Sequence, residues 1–189
     1  MENDYRLQEQ AMTDTKMRYD PNTIALHWAT ALLVVTLFGL AELWGFLPRG
    51  TPLRHNLQGL HISLGLLLAG VVVLRIIWRA GFGRSLPEVA SSLPYWAAKG
   101  VHYLLYCLLI GQIVLGFLFR WAQGEAFTFF GLFAVPPAFA PDKALAGTIG
   151  EVHNLVGWSI VLLAGLHAAA ALFHHYALRD NTLNRMLPH

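Results

Sequence analysis

The sequence predicts an all-α integral membrane protein, a four-helix bundle with both termini cytoplasmic. Three observations carry this. Hydrophobic residues make up 56% of the 189 residues and charged residues only 13%, about half the roughly 25% of a soluble domain. Four long runs are nearly free of Asp, Glu, Lys and Arg. The prolines at 48, 52, 87, 94, 136, 137, 141 and 188 all fall between or after those runs. A soluble globule lacks the charge to cover its surface at this composition, and a disordered chain would be far more polar. The mean hydropathy of +0.48 agrees.

The spans follow in order. About 20 residues cross a hydrocarbon core of about 30 Å, and backbone groups in lipid must bond within the segment. The expected helices cover about 24–46, 57–78, 100–121 and 152–178. Residues 1–20 carry interspersed charges with no apolar stretch, so they read as a cytoplasmic tail and not as a cleaved signal. Residues 21–189 then form one membrane domain. The segment 123–150 holds Phe127, Phe129, Phe130, Phe133 and Phe139 around Pro136–Pro137. It is too broken to span, and reads as an interfacial or capping loop.

Lys and Arg set the orientation. Tail, second loop and C-terminus hold Arg6, Lys16, Arg18, Arg75, Arg79, Arg84, Lys99, Arg179 and Arg185. The other side holds Arg49, Arg54, Arg120 and Lys143. Both termini are therefore expected in the cytoplasm, with the chain a multi-pass protein of the bacterial inner membrane. Net charge is only +2 and no basic run occurs, so nucleic acid is not an expected partner. The single cysteine, Cys107, excludes an intrachain disulfide and reads as a small hydrophobe.

Nine histidines against so few other ionisable groups is the functional signal. An ionisable residue inside a membrane is costly and usually has a task. His153 and His167 are fourteen residues apart. On a helix they stand about 21 Å apart and share one face to within about 40°. Such a spacing suits axial ligands of two stacked haems, each needing a second imidazole from another helix. Depth pairs His61 with His153 near the outer surface and His27 with His167 near the cytoplasm. His102 also begins a helix at the cytoplasmic side and is the rival to His27. Otherwise it reads as a propionate-side, quinone-side or merely interfacial residue. Gly65 and Gly157 lie one turn beyond His61 and His153 and leave room for a flat macrocycle. Arg75 shares the face of His61 at the inner level, a candidate partner for haem propionates. His174 lies about 10 Å beyond His167 on nearly the same face, a candidate for binding a quinone carbonyl.

These residues carry a resemblance. Ile24-Ala25-Leu26-His27-Trp28, Leu60-His61-Ile62-Ser63-Leu64-Gly65 and Gly165-Leu166-His167-Ala168-Ala169-Ala170-Ala171-Leu172 resemble the bacterial cytochrome b-561 family of four-helix dihaem proteins. The stretch His174-His175-Tyr176 through Asp180-Asn181-Thr182-Leu183 to Arg185-Met186-Leu187-Pro188 is the most specific piece. The likeness covers roughly residues 18–188 and points to the small single-subunit branch that includes a superoxide oxidase. It implies two haem b groups held by His27, His61, His153 and His167. It also implies superoxide as donor on the outer side and ubiquinone as acceptor. Arg49, Arg54, Arg120 and Lys143 would then steer the anion by their local field, and no catalytic residue beyond the haems is expected. A protein partner is possible but not required. The competing functions are an electron-transfer and anchor subunit for a periplasmic dehydrogenase or hydrogenase, and a non-redox membrane protein.

Overall fold

The computed structural model describes residues 18–86 and 93–188. Four long helices run α1 Pro21–Gly45, α2 Pro52–Gly81, α3 Leu93–Gln123 and α4 Lys143–Phe173. A hairpin of β1 Phe127–Phe129 and β2 Phe133–Val135 joins α3 to α4, with Phe127 opposite Val135. A five-residue π-turn, His174–Leu178, continues α4, and a 3-10 turn Asn184–Met186 follows. All four helices are long and apolar enough to cross a membrane. The expected tail falls outside the described residues over 1–17, as does Pro87.

The helices are longer than their apolar runs because hydropathy marks only the part inside lipid. At 1.5 Å per residue, 25 to 31 residues reach roughly 37–47 Å, beyond the hydrocarbon core. The clearest difference is α4, which starts at Lys143 and not near residue 152. Asp142 explains it: its carboxylate accepts the Ala144 and Leu145 backbone N–H groups at 2.9 and 3.0 Å, a strong N-cap. The joint before it is tight. Gly124 has φ 73°, and a side chain there would collide with the Pro141 ring, so only glycine suits.

Packing divides the bundle into two helical hairpins. Leu37, Leu68 and Val72 form one buried cluster, with Leu33, Val34 and Leu64 around it, between α1 and α2. Ala122, Ala146 and Ile149 form another between α3 and α4, with Leu115, Leu118 and Phe119. Within each hairpin the helices are closely packed, whereas the seam between the hairpins is sparse. Leu32, Val35, Leu155 and Leu162 are about two-thirds exposed. In a bilayer such residues face lipid, so their exposure is the solvation a membrane protein needs.

Asp20 ties together the end of the bundle that carries the chain termini. It caps α1 by accepting Thr23 N–H at 2.9 Å and the Thr23 hydroxyl at 2.7 Å. It also accepts Trp78 Nε1–H at 2.9 Å and Arg84 N–H at 3.0 Å, from the far end of α2 and the loop after it. The C-terminal segment crosses the same end: Trp28 Nε1–H donates to Met186 O at 2.6 Å and Arg18 to Leu187 O at 3.0 Å. At the other end, Arg54 donates to the Trp44 and Leu47 carbonyls at 2.7 and 2.9 Å, satisfying the open C-terminus of α1.

Two predictions follow from these caps. Asp20→Ala should lower stability by about 1 kcal/mol or more, since it removes an N-cap and two inter-element bonds. Burial alone would raise the Asp20 carboxyl, but bonds from Thr23, Arg84 and Trp78 outweigh it and hold the group well below its usual 3.8. Its stabilisation is then fully present above that value and lost as pH falls through the depressed folded value. Thermal unfolding of wild type and variant at neutral and acid pH reads both effects. Arg54→Ala should cost about 1–2 kcal/mol through the freed carbonyls, while Arg49→Ala in the adjoining exposed turn should cost little. Thermal unfolding in the same detergent separates them.

Candidate haem-binding seam

Two histidine groups lie along the seam, at the two levels that sequence spacing anticipates. His61 stands on α2 and His153 on α4, with ring centroids 6.4 Å apart and planes at 68°. The His61 ring nitrogen Nδ1 is 3.0 Å from the Leu37 backbone carbonyl. A carbonyl only accepts, so Nδ1 carries the proton and Nε2 is left with its lone pair, the usual arrangement behind a metal-ligating histidine. The Trp44 ring meets His61 edge-on at 5.0 Å. His153 is fixed by small and flat neighbours. A side-chain carbon at Gly116 would lie 3.6 Å from its Cε1, and the Phe119 ring lies 6.5 Å away. His153 Nδ1 is buried without a hydrogen-bond partner.

These residues fit a haem iron. Two imidazole nitrogens at about 2 Å from one metal put opposed ring centroids roughly 6 Å apart, close to the 6.4 Å observed. A side-chain carbon at Gly65 would meet nothing within 4 Å, so that side of α2 is open. Gly157 differs from its expected part as free space: the Gln112 amide nitrogen lies 3.2 Å from where a Cβ would be. Among the described residues, no three His, Cys, Asp or Glu side chains gather to hold a free metal ion.

The level nearer the chain termini gathers five side chains. Arg75 of α2 is 3.0 Å from His27 Nδ1 of α1 and lies over the Tyr106 ring of α3 at 5.1 Å. His102 of α3 and His167 of α4 stand with centroids 5.1 Å apart. His27 lies near enough to interact electrostatically with both. The contacts of Arg75 with an imidazole and a phenol bring it no negative charge, so it suits a carboxylate-bearing group.

His174 ends α4, and its Nδ1 lies 2.5 Å from Asp180 Oδ2. The Asp180 carboxyl is lowered to about 2. Slight desolvation opposes this, and bonds from His174 and Thr182 outweigh it. Trp28, next to His27, holds the C-terminal segment beneath this level.

The four outer cations are not equivalent. Arg120 is bonded to Glu125 at 2.5 Å and Gln123 at 2.7 Å, so its charge is largely balanced. Arg54 is committed to the α1 carbonyls. Arg49 lies exposed in the α1–α2 turn and Lys143 begins α4. Tyr106 and Gln112 escaped the sequence reading, and Asp180 entered it only within the C-terminal stretch that carries the resemblance. Tyr106 was findable, one turn from His102 on the same face. Asp180 lies beyond the helix, where no periodicity speaks for it.

Comparison with known proteins places this arrangement. A family model described as prokaryotic cytochrome b561 matches residues 18–189. Cytochrome b561 homolog 2 of Escherichia coli strain K12 is 34% identical, covering 94% of this chain and 95% of that protein. Cytochrome b561 homolog 1 of the same strain is 31% identical, with 90% and 97% covered. The probable superoxide oxidase CybB of Yersinia pestis is 32% identical, with 90% and 96% covered. Four apolar helices and facing imidazoles thus meet a match over nearly the whole chain: it belongs to the prokaryotic cytochrome b561 family, multi-pass bacterial membrane proteins that transfer electrons with b-type haem.

Proposed function

We propose that the chain holds two b-type haems and oxidises superoxide outside the cytoplasmic membrane while reducing ubiquinone at the inner end. The observation that carries the dihaem reading is the pairing of histidines across the sparse seam. His61 and His153 come from different helical hairpins. His167 lies on the same α4 helix, fourteen residues nearer the inner end. A haem lying in the seam takes one ligand from each side of it. His27 on α1 and His167 on α4 meet that condition. His102 and His167 belong to the same helical hairpin, so they would approach iron from one side. Their 5.1 Å separation is also short for two opposed ligands. His27 is accordingly the better partner of His167, and His102 a neighbour.

A b-type haem held by these histidines would supply one-electron transfer. The protein supplies orientation and charge. Leu37 O fixes the tautomer of His61. Arg75 offers a cation to the inner propionates. The likeness to a probable superoxide oxidase supports superoxide as donor. Two superoxide anions give up one electron each and leave as dioxygen. One ubiquinone takes the two electrons and two protons to become ubiquinol. His174, with Asp180 behind it, is placed to hydrogen-bond a quinone carbonyl. Arg18, Arg79, Arg84, Arg179 and Arg185 at the inner end outnumber Arg49, Arg54, Arg120 and Lys143 outside, which supports cytoplasmic termini.

His167→Ala and His27→Ala should each remove one low-spin haem signal from reduced-minus-oxidised spectra, and His102→Ala should keep both. Loss of a signal in His102→Ala with none lost in His27→Ala would reverse the assignment. Purified holoprotein mixed with superoxide and a short-chain ubiquinone analogue should form ubiquinol at half the superoxide consumed. The rate should fall as salt rises, because exposed Arg49 and Lys143 act through a screened field. No haem reduction by superoxide rejects the donor, and a salt-independent rate rejects the steering.

A further inference from the structure

The hairpin between α3 and α4 sits beside the outer histidine pair, not above it. Ser63 is two residues, about 3 Å, beyond His61 on α2. It is buried, donates its hydroxyl to Thr128 O at 3.1 Å and accepts Phe130 N–H at 3.1 Å. The other anchor is on α3. Phe127, only 4% exposed, meets the Phe117 ring at 5.5 Å, and Phe117 follows Gly116, where an added Cβ would lie 3.6 Å from His153. One face of the hairpin is therefore fastened to both α2 and α3, across the seam, at the level of His61 and His153. Away from that anchor, its turn and the start of β2 are apolar and open: Phe130, Leu132 and Phe133 are 49%, 78% and 54% exposed. Phe130 and Gly131 at the tip have φ 46° and 76°, a left-handed turn that Phe adopts only at some cost. Opposite, between α1 and α4, Phe38 and Trp158 meet edge-on at 4.8 Å.

Non-helical backbone at membrane depth is tolerated only where its polar groups are satisfied. Ser63 satisfies one N–H and one C=O of this hairpin, and the antiparallel ladder others. The open apolar turn, with Phe130 and Leu132, then meets acyl chains. We propose that the hairpin is a lateral seal. It closes the α2–α3 side of the seam against lipid, so lipid-dissolved quinone is kept from the outer haem and only small water-soluble donors reach it. This rests on the reading that His61 and His153 hold that haem. It makes the hairpin a determinant of which carrier reacts at which end. Without it, quinone would exchange electrons at both levels and the two ends would lose their separate partners.

The test uses full-length holoprotein in phosphatidylcholine nanodiscs with a nitroxide on the acyl chain. The low-spin haem signals, and the relaxation that each ferric haem induces in the nitroxide, are read by electron paramagnetic resonance. The outer haem is the signal lost in His153→Ala. In wild type and in Phe127→Leu, which keeps most of the anchoring volume, the outer haem should relax the lipid nitroxide weakly. In Ser63→Ala/Phe127→Ala it should relax it several-fold more, and Ser63→Ala alone should fall between. The seal is overturned if the double variant matches wild type, or if the nitroxide with wild type is already relaxed as strongly as with the double variant. A signal that persists in His153→Ala overturns the ligand assignment instead, and this inference with it.

Discussion

The structure depends on one constraint: imidazoles buried inside a lipid-solvated bundle must be given partners. Lipid offers histidine no hydrogen-bond partner. His61 solves half of the problem with the Leu37 carbonyl. The other half, the ring nitrogen aimed across the seam, is the feature a metal answers. The two helical hairpins pack well within themselves and sparsely against each other, as the proposed haem site between them requires. A bundle packed evenly would have no place for a flat group between its halves.

The same constraint orders the two ends. At the end that carries the chain termini, charge is abundant and organised. Asp20 joins three elements, Arg75 bridges His27 and Tyr106, and the C-terminal segment crosses to Trp28. Polar side chains there are held in defined positions. At the outer end, cations are fewer and partly committed, and the aromatic hairpin covers one side. The two ends therefore differ in chemistry although the histidine levels resemble each other.

Much of this was legible in the sequence, for identifiable reasons. Hydropathy marks membrane residence directly, because lipid selects residues one by one. The fourteen-residue step between His153 and His167 is legible because helix geometry is rigid, so their shared face needs no tertiary knowledge. Helix ends were less legible. Lys143–Gly150 is helical on the strength of the Asp142 cap, a local bond that hydropathy does not weigh. The Phe-rich segment suggested a cap, yet its strand pairing and its fastening to Ser63 depend on a residue 65 positions away.

Sequence alone settles the solvent, the number of spans and the depths of the histidines, since each follows from composition and a fixed rise per residue. Packing decides which imidazoles oppose each other. His27 and His102 start their helices at the same depth, and only the division into two helical hairpins tells which of them lies across the seam from His167. Packing likewise decides that Arg120 is balanced by Glu125 and Arg54 by helix carbonyls, leaving Arg49 and Lys143 as the open charges. Depth is a property of one helix, but opposition is a property of two, and it exists only when the helices are assembled.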